Sequence, residues 1–566
     1  MNHDATRSPE RAAFGALSAL LLAPVIAQGV WHPLQHVFGS AGSASTITWA
    51  ALAVAAVVVL VQIVLPRRKL ALSLALGSLV AVAARVAGSL GLTGFLTLVC
   101  VNVATALLVQ WLLPQLPASL DGLAKRHKLL TGLYVVLALA AVVSMARMSV
   151  FIGDPTRVDQ QVVPGEKFLE THSCLTAYVH AAKLSQQRVD NLYEEQWWHG
   201  AHGLPPLQPG VENPYRPFLL DYYAYPPPFL LIMAPLAPLA GDFPAQRALW
   251  FGINGLLLAV GLWIMARWLD GDGPGSHRVL LLAPVFLGSL PVLGTLQIGN
   301  FQIAVVMLSI LAMVAFHQDR NVIGGALLAF AILSKISPGI FGIYLLSQRR
   351  FRSAAWTAGF GVFFLALSLL LHGVSPIQSF LTYTLGRISS GAAFSFLAEG
   401  QFNVLTNMSL FGFPFKLQLL GVAISDPWTM ARRLGRIYSV VLVLLAFFAA
   451  RRPGAEDRRT QAVTWMSLLV LSALQSPFAP GYVIIGLLWA ITLLAVEVQR
   501  ARGVLTLLAL WLILTFLARG SVTVLGIFSI VQSAVTIGVP IWLIVRSASP
   551  IRGSRDRRTS TGSLTP

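Results

Sequence analysis

The residues best suited to chemistry lie in one polar stretch, 151–228, of an otherwise apolar chain. Carboxylates and histidines are the side chains that most often move protons in catalysis, and here they are interleaved with tyrosines and tryptophans. The acidic residues and histidines include Asp154, Asp159, Glu166, Glu170, His172, Asp190, Glu194, Glu195, His199, His202 and Asp221. If the protein catalyses a reaction, its general base is expected in this stretch.

The composition indicates what holds this stretch in place. Of the 566 residues, 56% are hydrophobic and 11% are charged, whereas soluble domains carry about 25% charged residues. Apolar runs of about 20 residues recur along the chain, which is the pattern of transmembrane helices. We therefore predict an all-α, polytopic integral membrane protein. The net charge of +18 does not indicate nucleic-acid binding, since the cations stand in short clusters between apolar runs.

The apolar runs predict five spans in the N-terminal segment 1–150 and nine or more in the segment 229–547. Basic clusters precede the first and fifth spans and join the second to the third. By the positive-inside rule these clusters are cytoplasmic, so 151–228 is an extracytoplasmic loop of a cell-membrane protein. We expect a cytoplasmic, disordered tail over 548–566. The predicted N-terminal spans are 13–30, 46–65, 70–90, 93–113 and 129–150.

The apolar run 322–347 has basic residues at both ends and Lys335-Ile336-Ser337-Pro338 at its middle. If this run crossed the membrane once, one of its two flanking basic clusters would lie on the extracytoplasmic side. Proline breaks a helix, and a lysine at mid-membrane costs about 2.5–3.5 kcal/mol on insertion scales. These facts favour a broken hairpin with its tip in the protein interior, against the alternative of a single span.

A second polar segment, 373–434, is also predicted on the outer side. It contains Arg387, Asn403 and the arginines Arg432, Arg433 and Arg436. The three clustered arginines violate the charge rule, so either the topology fails there or they contact a lipid or carrier phosphate. The two cysteines, Cys100 and Cys174, have no metal-ligand spacing, and we expect neither a metal nor a cofactor.

An ordered set of motifs runs through the chain from residue 178 onward. It consists of Tyr178 with Ala181-Ala182, Asn191-Leu192-Tyr193, Tyr225-Pro226-Pro227-Pro228, Gln297-Ile298-Gly299-Asn300, Gly324-Gly325-Ala326, Lys335-Ile336-Ser337-Pro338 and Arg349-Arg350. The set resembles glycosyltransferase family 87, a family of GT-C-type polytopic enzymes similar to the mannosyltransferases of phosphatidylinositol mannoside synthesis.

The resemblance implies a GT-C-like helical bundle with a large outer loop. It implies transfer of a hexose, mannosyl-type, from a polyprenyl-phosphate sugar to a lipid or glycan acceptor outside, with membrane lipids around the protein. Family members usually carry an aspartate four or five residues before the tyrosine of the Tyr-x-x-Ala-Ala helix, where this chain has Thr171-His172-Ser173-Cys174. The nearest preceding aspartates, Asp154 and Asp159 at the outer end of the fifth span, are therefore the candidate bases, with His172 as helper. Candidate substrate-binding residues are Tyr178, Tyr193, Asp221, Tyr225, Gln297, Asn300, Lys335, Arg387 and Asn403.

Two other functions fit the same sequence. A transporter or flippase of lipid-linked saccharides also uses broken helices with polar groups at mid-membrane. An inactive homologue is compatible with the missing aspartate. The long loop rich in acids and aromatics favours the enzyme. Each site residue also has a structural interpretation, since Asp154-Pro155 is typical of a helix end or a turn.

Overall fold

The computed structural model describes residues 9–39, 42–64, 69–87, 90–112, 128–201, 204, 212–270, 282–398, 400–452, 454–455, 457–495, 501–516 and 520–546. Within these residues every regular element is helical, which confirms the predicted all-α, polytopic membrane fold. The tail 548–566, predicted to be disordered, lies outside the described residues.

Five long helices form the N-terminal part of the bundle and follow the predicted spans closely. Polar side chains between them are paired: the Gln28 side-chain amide donates to the Ala44 carbonyl and to Thr48 Oγ1. Because lipid offers no alternative partner, such bonds help to fix how the helices pack. The helices are α1 (Pro9–Phe38), α2 (Ala44–Val64), α3 (Lys69–Val86), α4 (Leu92–Leu112) and α5 (Lys128–Gly153).

The polar stretch after α5 folds over one end of the bundle, which we call the loop end; the opposite end is the connector end. Within it α6 (Lys167–Thr171) and α7 (Leu175–Gln186) are short helices. Its buried aromatic residues are continuous with the main hydrophobic core of the bundle. Trp198 is fully buried, and its indole N–H donates to the Leu192 carbonyl. The loop is therefore an ordered layer and can hold side chains in fixed positions.

The remaining helices follow this layer. They are α8 (Leu230–Ala240), α9 (Phe243–Asp270), α10 (Ala283–Leu287), α11 (Leu290–Ile298), α12 (Gln302–His317), α13 (Asn321–Ser334), α14 (Ile340–Ser347), α15 (Phe351–His372), α16 (Ser375–Ser379), α17 (Leu385–Ser390), α18 (Gln401–Thr406), α19 (Phe413–Leu419), α20 (Pro427–Arg451), α21 (Arg458–Ala473), α22 (Ile485–Ala495), α23 (Ala501–Thr515) and α24 (Val522–Arg546). Because α20 begins at Pro427, the arginines at 432, 433 and 436 lie in its first turns.

The N-terminal helices are joined to the rest through α9. A Cβ atom built on Gly29 of α1 would lie 2.9 Å from the Cα of Gly252 of α9, so the two backbones approach as only small residues allow. At the loop end Arg247, 2% exposed, donates to the carbonyls of Phe151 and Ile152 at the end of α5. The first five helices and the later ones therefore share one packed interface.

The break predicted at Lys335–Pro338 is confirmed. Helix α13 ends at Ser334, Lys335 is extended, and a short 3-10 turn leads into α14. Arg350 Nη1 donates to the Phe316 carbonyl over 3.0 Å, so the chain enters and leaves this pair of helices at the same end. This contact supports the broken hairpin, and Lys335 stands at its tip.

Among the described residues, eight helices are long and apolar enough to cross a membrane. A ninth crossing is possible if α11 and α12, bent by 113°, count as one span, and several shorter apolar helices lie beside them. The predicted total, five N-terminal spans and nine or more after the loop, stays a prediction.

Candidate active site

A cluster of three side chains forms where two distant parts of the loop meet. His172 and Cys174 lie on either side of the turn between α6 and α7, and Asp221 comes from the segment just before Tyr225. The Leu219 N–H donates to the Thr171 carbonyl, and the Asp221 N–H donates to Thr176 Oγ1. These bonds hold the Asp221 segment beside α7. We call His172, Cys174 and Asp221 the His–Cys–Asp cluster.

The atoms of this cluster are close together and partly open to solvent. His172 Nε2 lies 3.7 Å from Asp221 Oδ2 and 3.4 Å from Cys174 Sγ. The side chains of His172 and Asp221 are 20% and 28% exposed, whereas Cys174 is buried. Burial, with the nearby Asp221 carboxylate, raises the pKa of the Cys174 thiol, so this thiol is protonated at neutral pH in the metal-free protein.

Lys335 is joined to the cluster through Asn300. The Asn300 amide Nδ2 donates to Cys174 Sγ over 3.2 Å, and Lys335 Nζ lies 3.5 Å from Asn300 Oδ1. The ammonium also faces two aromatic rings, Tyr482 at 4.6 Å and Tyr225 at 5.8 Å. The tip of the hairpin thus brings a half-buried cation to the edge of the loop layer.

The Gln-x-Gly-Asn motif makes this arrangement possible. Gly299 ends α11 with a positive φ of 70°, where a Cβ would meet the Trp250 ring at 3.2 Å. Glycine adopts this left-handed conformation without strain. The buried Gln297 side chain accepts from the Val162 N–H and donates to the Leu169 carbonyl, and so fastens the loop to the bundle.

Three predicted tyrosines are joined by hydrogen bonds beneath the cluster. Tyr178 is buried, and its hydroxyl donates to the Tyr225 hydroxyl over 3.0 Å. Tyr193 is also buried and donates to the Tyr225 carbonyl. Burial raises the pKa of Tyr178 and of Tyr225, so both stay protonated.

The two acids predicted as bases lie elsewhere in the loop. Asp154 accepts from the backbone and hydroxyl of Thr156, which is a local turn. Asp159 is exposed; the Arg157 guanidinium and then the Gln160 amide lower the pKa of its carboxyl. The hydrogen bonds of both carboxylates are with residues 156–160. The structure does not bring these acids into the His–Cys–Asp cluster.

The two predicted residues of the second outer segment also have other neighbours. Arg387 forms an ion pair with Glu195 of the loop. The Asn403 amide donates to the Phe396 carbonyl over 3.2 Å. Asn403 holds the outer segment together, and Arg387 joins it to the loop.

Sequence reasoning missed Cys174 and Tyr482 as neighbours of the site, and it placed Asp221 only among substrate-binding residues. The signal for Cys174 was its position four residues before Tyr178, where the resemblance implies an aspartate. No local pattern pairs Cys174 with Asp221, because the two residues are brought together by contacts between separate segments.

No curated protein and no solved structure matches the chain. The model of glycosyltransferase family 87 matches residues 223–477, a region that contains the hairpin, Asn300 and Lys335 and that begins just after Asp221. The match favours an enzyme over a transporter. The match is to the family that the motifs indicated, and over residues 223–477 it indicates a membrane glycosyltransferase.

Proposed function

We propose that this protein transfers a hexosyl group, mannosyl-type, from a polyprenyl-phosphate sugar to a hydroxyl of a lipid or glycan acceptor, with Asp221 as the general base. The observation that carries the proposal is the partly exposed Asp221–His172 pair, linked through Cys174 and Asn300 to the cation Lys335. A base and a cation in one site are what the reaction needs.

In one displacement reaction, Asp221 acts on the attacking hydroxyl and Lys335 acts on the leaving phosphate. A sugar hydroxyl is a weak nucleophile, so a carboxylate that takes its proton during attack lowers the barrier. The acceptor oxygen bonds to the anomeric carbon, the bond from that carbon to the phosphate oxygen breaks, and the polyprenyl phosphate leaves with the electron pair. Attack from the opposite face inverts the anomeric carbon.

Asp221 suits the base role better than Asp154 or Asp159. Its Oδ1 accepts from the Tyr222 N–H over 2.9 Å, which leaves Oδ2 directed at His172 and the open side of the cluster. The other two carboxylates are engaged by their own turns. His172, stacked on the Phe168 ring at 4.4 Å, orients Asp221 and is a positioning residue in this scheme.

Lys335 would neutralise the leaving phosphate. Its ammonium has three donors, and a fixed cation placed where charge develops stabilises the transition state. An apolar groove of about 580 Å³ runs along the same hairpin, between α13, α14 and α15, and is lined by residues such as Ile332, Leu333, Leu346 and Ala358. Its chemistry suits a polyprenyl chain whose phosphate lies at Lys335.

The loop end faces the extracytoplasmic side in this proposal. The distribution of arginines supports this orientation, since Arg350, Arg452 and Arg458 lie at the connector end. Basic residues between spans favour the cytoplasm. The carrier would then present its sugar to the loop layer from the outer leaflet of the cell membrane.

The test is transfer of a labelled sugar from polyprenyl-phosphate donors by the purified full-length protein. Asp221→Asn is expected to lose 10²-fold or more, in line with the usual contribution of a general base, about 10²–10⁴-fold. Asp154→Asn and Asp159→Asn are the matched carboxylate variants and are expected to keep activity. Loss in either of these two, with Asp221→Asn active, would return the base to Asp154 or Asp159.

A further inference from the structure

The His–Cys–Asp cluster presents three different ligand atoms to one point. His172 Nε2, Cys174 Sγ and a carboxylate oxygen of Asp221 all lie within 4.8 Å of one another. Among the described residues this is the one such group of histidine, cysteine and acidic side chains. From this geometry we propose that the His–Cys–Asp cluster binds a transition-metal ion of the Zn²⁺ class.

The spacing of the atoms fits tetrahedral coordination. Zinc bonds to nitrogen and oxygen are about 2.0–2.2 Å and to sulfur about 2.3 Å, so tetrahedral ligand atoms are separated by about 3.4–3.6 Å. The observed separations are 3.4 Å from Nε2 to Sγ and 3.7 Å from Nε2 to Oδ2. The third separation, from Sγ to the Asp221 carboxylate oxygen, is within 4.8 Å. Side-chain movements of up to about 1 Å would therefore bring the three atoms onto one metal.

The ligand set selects the metal. Mg²⁺ and Ca²⁺ prefer oxygen, whereas a thiolate, an imidazole and a carboxylate together suit zinc or its divalent neighbours. Three protein ligands leave a fourth position open, and the partly exposed His172 and Asp221 place that position toward solvent. Sγ would bind as a thiolate, its proton passing to water.

Neighbouring groups already orient all three ligands. The Asn300 amide donates to Sγ, the Tyr222 N–H donates to Asp221 Oδ1, and the Phe168 ring stacks on His172. Hydrogen bonds of this outer kind commonly orient metal ligands and tune their affinity. The Asn300 side chain also stands between Sγ and the Lys335 ammonium, which keeps that cation one residue away from the metal position.

The inference does not depend on the transferase reaction. It does predict an effect on it, because Asp221 Oδ2 cannot both ligate a metal and accept a proton from the acceptor. Zn²⁺ is therefore expected to inhibit transfer, and a chelator to reverse the inhibition. Cys174→Ser, whatever its own activity, should lose most of this sensitivity, measured as the ratio of rates with and without Zn²⁺.

The direct experiment is a Co²⁺ titration of the purified full-length protein in detergent after chelator treatment. A thiolate ligand gives a charge-transfer band in the near ultraviolet, and tetrahedral Co²⁺ gives intense visible bands. Both are expected in the native protein and both should disappear on addition of Zn²⁺. Cys100→Ser is the matched control, since Cys100 is the other cysteine of the chain and is exposed.

The variants decide the outcome. Cys174→Ser should abolish the charge-transfer band, and His172→Ala and Asp221→Asn should each weaken Co²⁺ binding tenfold or more, with thermal midpoints and elution profiles unchanged. A native protein without the band, a band that survives in Cys174→Ser, or a band lost in Cys100→Ser would overturn the proposal. Metal binding without any sugar transfer would refute the proposed function and leave this inference standing.

Discussion

Arg247 and Lys335 both lie at the loop end, but their surroundings differ. Arg247 donates to three carbonyls, those of Phe151, Ile152 and Gln297, and its guanidinium faces the Phe151 and Phe218 rings. Lys335, within the described part of the chain, makes one long hydrogen bond and faces two rings. Both terminal nitrogens of Arg247 donate to helix-end carbonyls, whereas the Lys335 ammonium has a single long hydrogen bond, to Asn300, among the described residues.

The connector end repeats the arrangement of Arg247. Arg350, Arg452 and Arg458 donate to the carbonyls of Phe316, Ile544 and Trp268, each in the last turn of its helix. Those carbonyls lack partners within their helices and carry the negative end of the helix dipole. A cation in this protein is therefore structural where it caps a helix and is a candidate for function where it does not.

Arg247→Met tests the structural half of this comparison and has the largest expected effect. Three buried carbonyls would lose their donor at about 1–3 kcal/mol each. We expect a loss of about 4 kcal/mol or more in the free energy of unfolding, seen as a lower unfolding midpoint in detergent. Arg352→Met, at an exposed position of α15, is the control and should change little. An equal effect in both variants would contradict the capping argument.

Lys335→Met tests the functional half. Removing one fixed donor from a developing anion costs about 10²–10³-fold in rate, so transfer should fall by that factor while the unfolding midpoint stays within a degree or two of native. Lys335→Arg keeps the charge and should recover part of the rate. If Lys335→Met transfers sugar at the native rate, Lys335 does not stabilise the leaving group. If Lys335→Met unfolds, Lys335 is a structural cation like Arg247.

Arg458→Met sharpens the comparison at the connector end. Its guanidinium makes one bond of 2.9 Å, to the Trp268 carbonyl, so we expect a loss of about 1 kcal/mol in unfolding free energy. Transfer per folded molecule should not change. A selective loss of transfer would show that the connector end takes part in the reaction.

Several features of the fold were predictable because they follow from local rules. The recurring apolar runs of about 20 residues predicted the all-α, polytopic fold, since a helix of that length can cross a bilayer. The break at Lys335–Pro338 followed from a missing proline N–H and a misplaced charge, both visible in four residues. The order of motifs was sufficient to indicate the family that the 223–477 match confirms.

The site was harder to predict because its parts come from separate segments. Cys174 meets Asp221 and Asn300 only after the Cys174 N–H bonds to the Ile298 carbonyl and the Leu219 N–H bonds to Thr171. The periodicity of apolar residues in the sequence does not predict such contacts. The acids at 154 and 159 were chosen for their place at the end of a span, but position along the chain says nothing about which carboxylate a turn will engage.

The smallest expected effect concerns Arg387, predicted from sequence to bind substrate and found paired with Glu195. Both side chains are a third or more exposed, 33% and 44%, and exposed pairs contribute about 0.2–1 kcal/mol. A double-mutant cycle with Arg387→Met and Glu195→Gln should give a coupling energy of about 0.5 kcal/mol. If the pair only joins the loop to the outer segment, transfer should vary by less than about threefold across the cycle. A tenfold loss in Arg387→Met that Glu195→Gln does not share would mean that the arginine contacts substrate. Arg387 would then be a second functional cation at the loop end, besides Lys335.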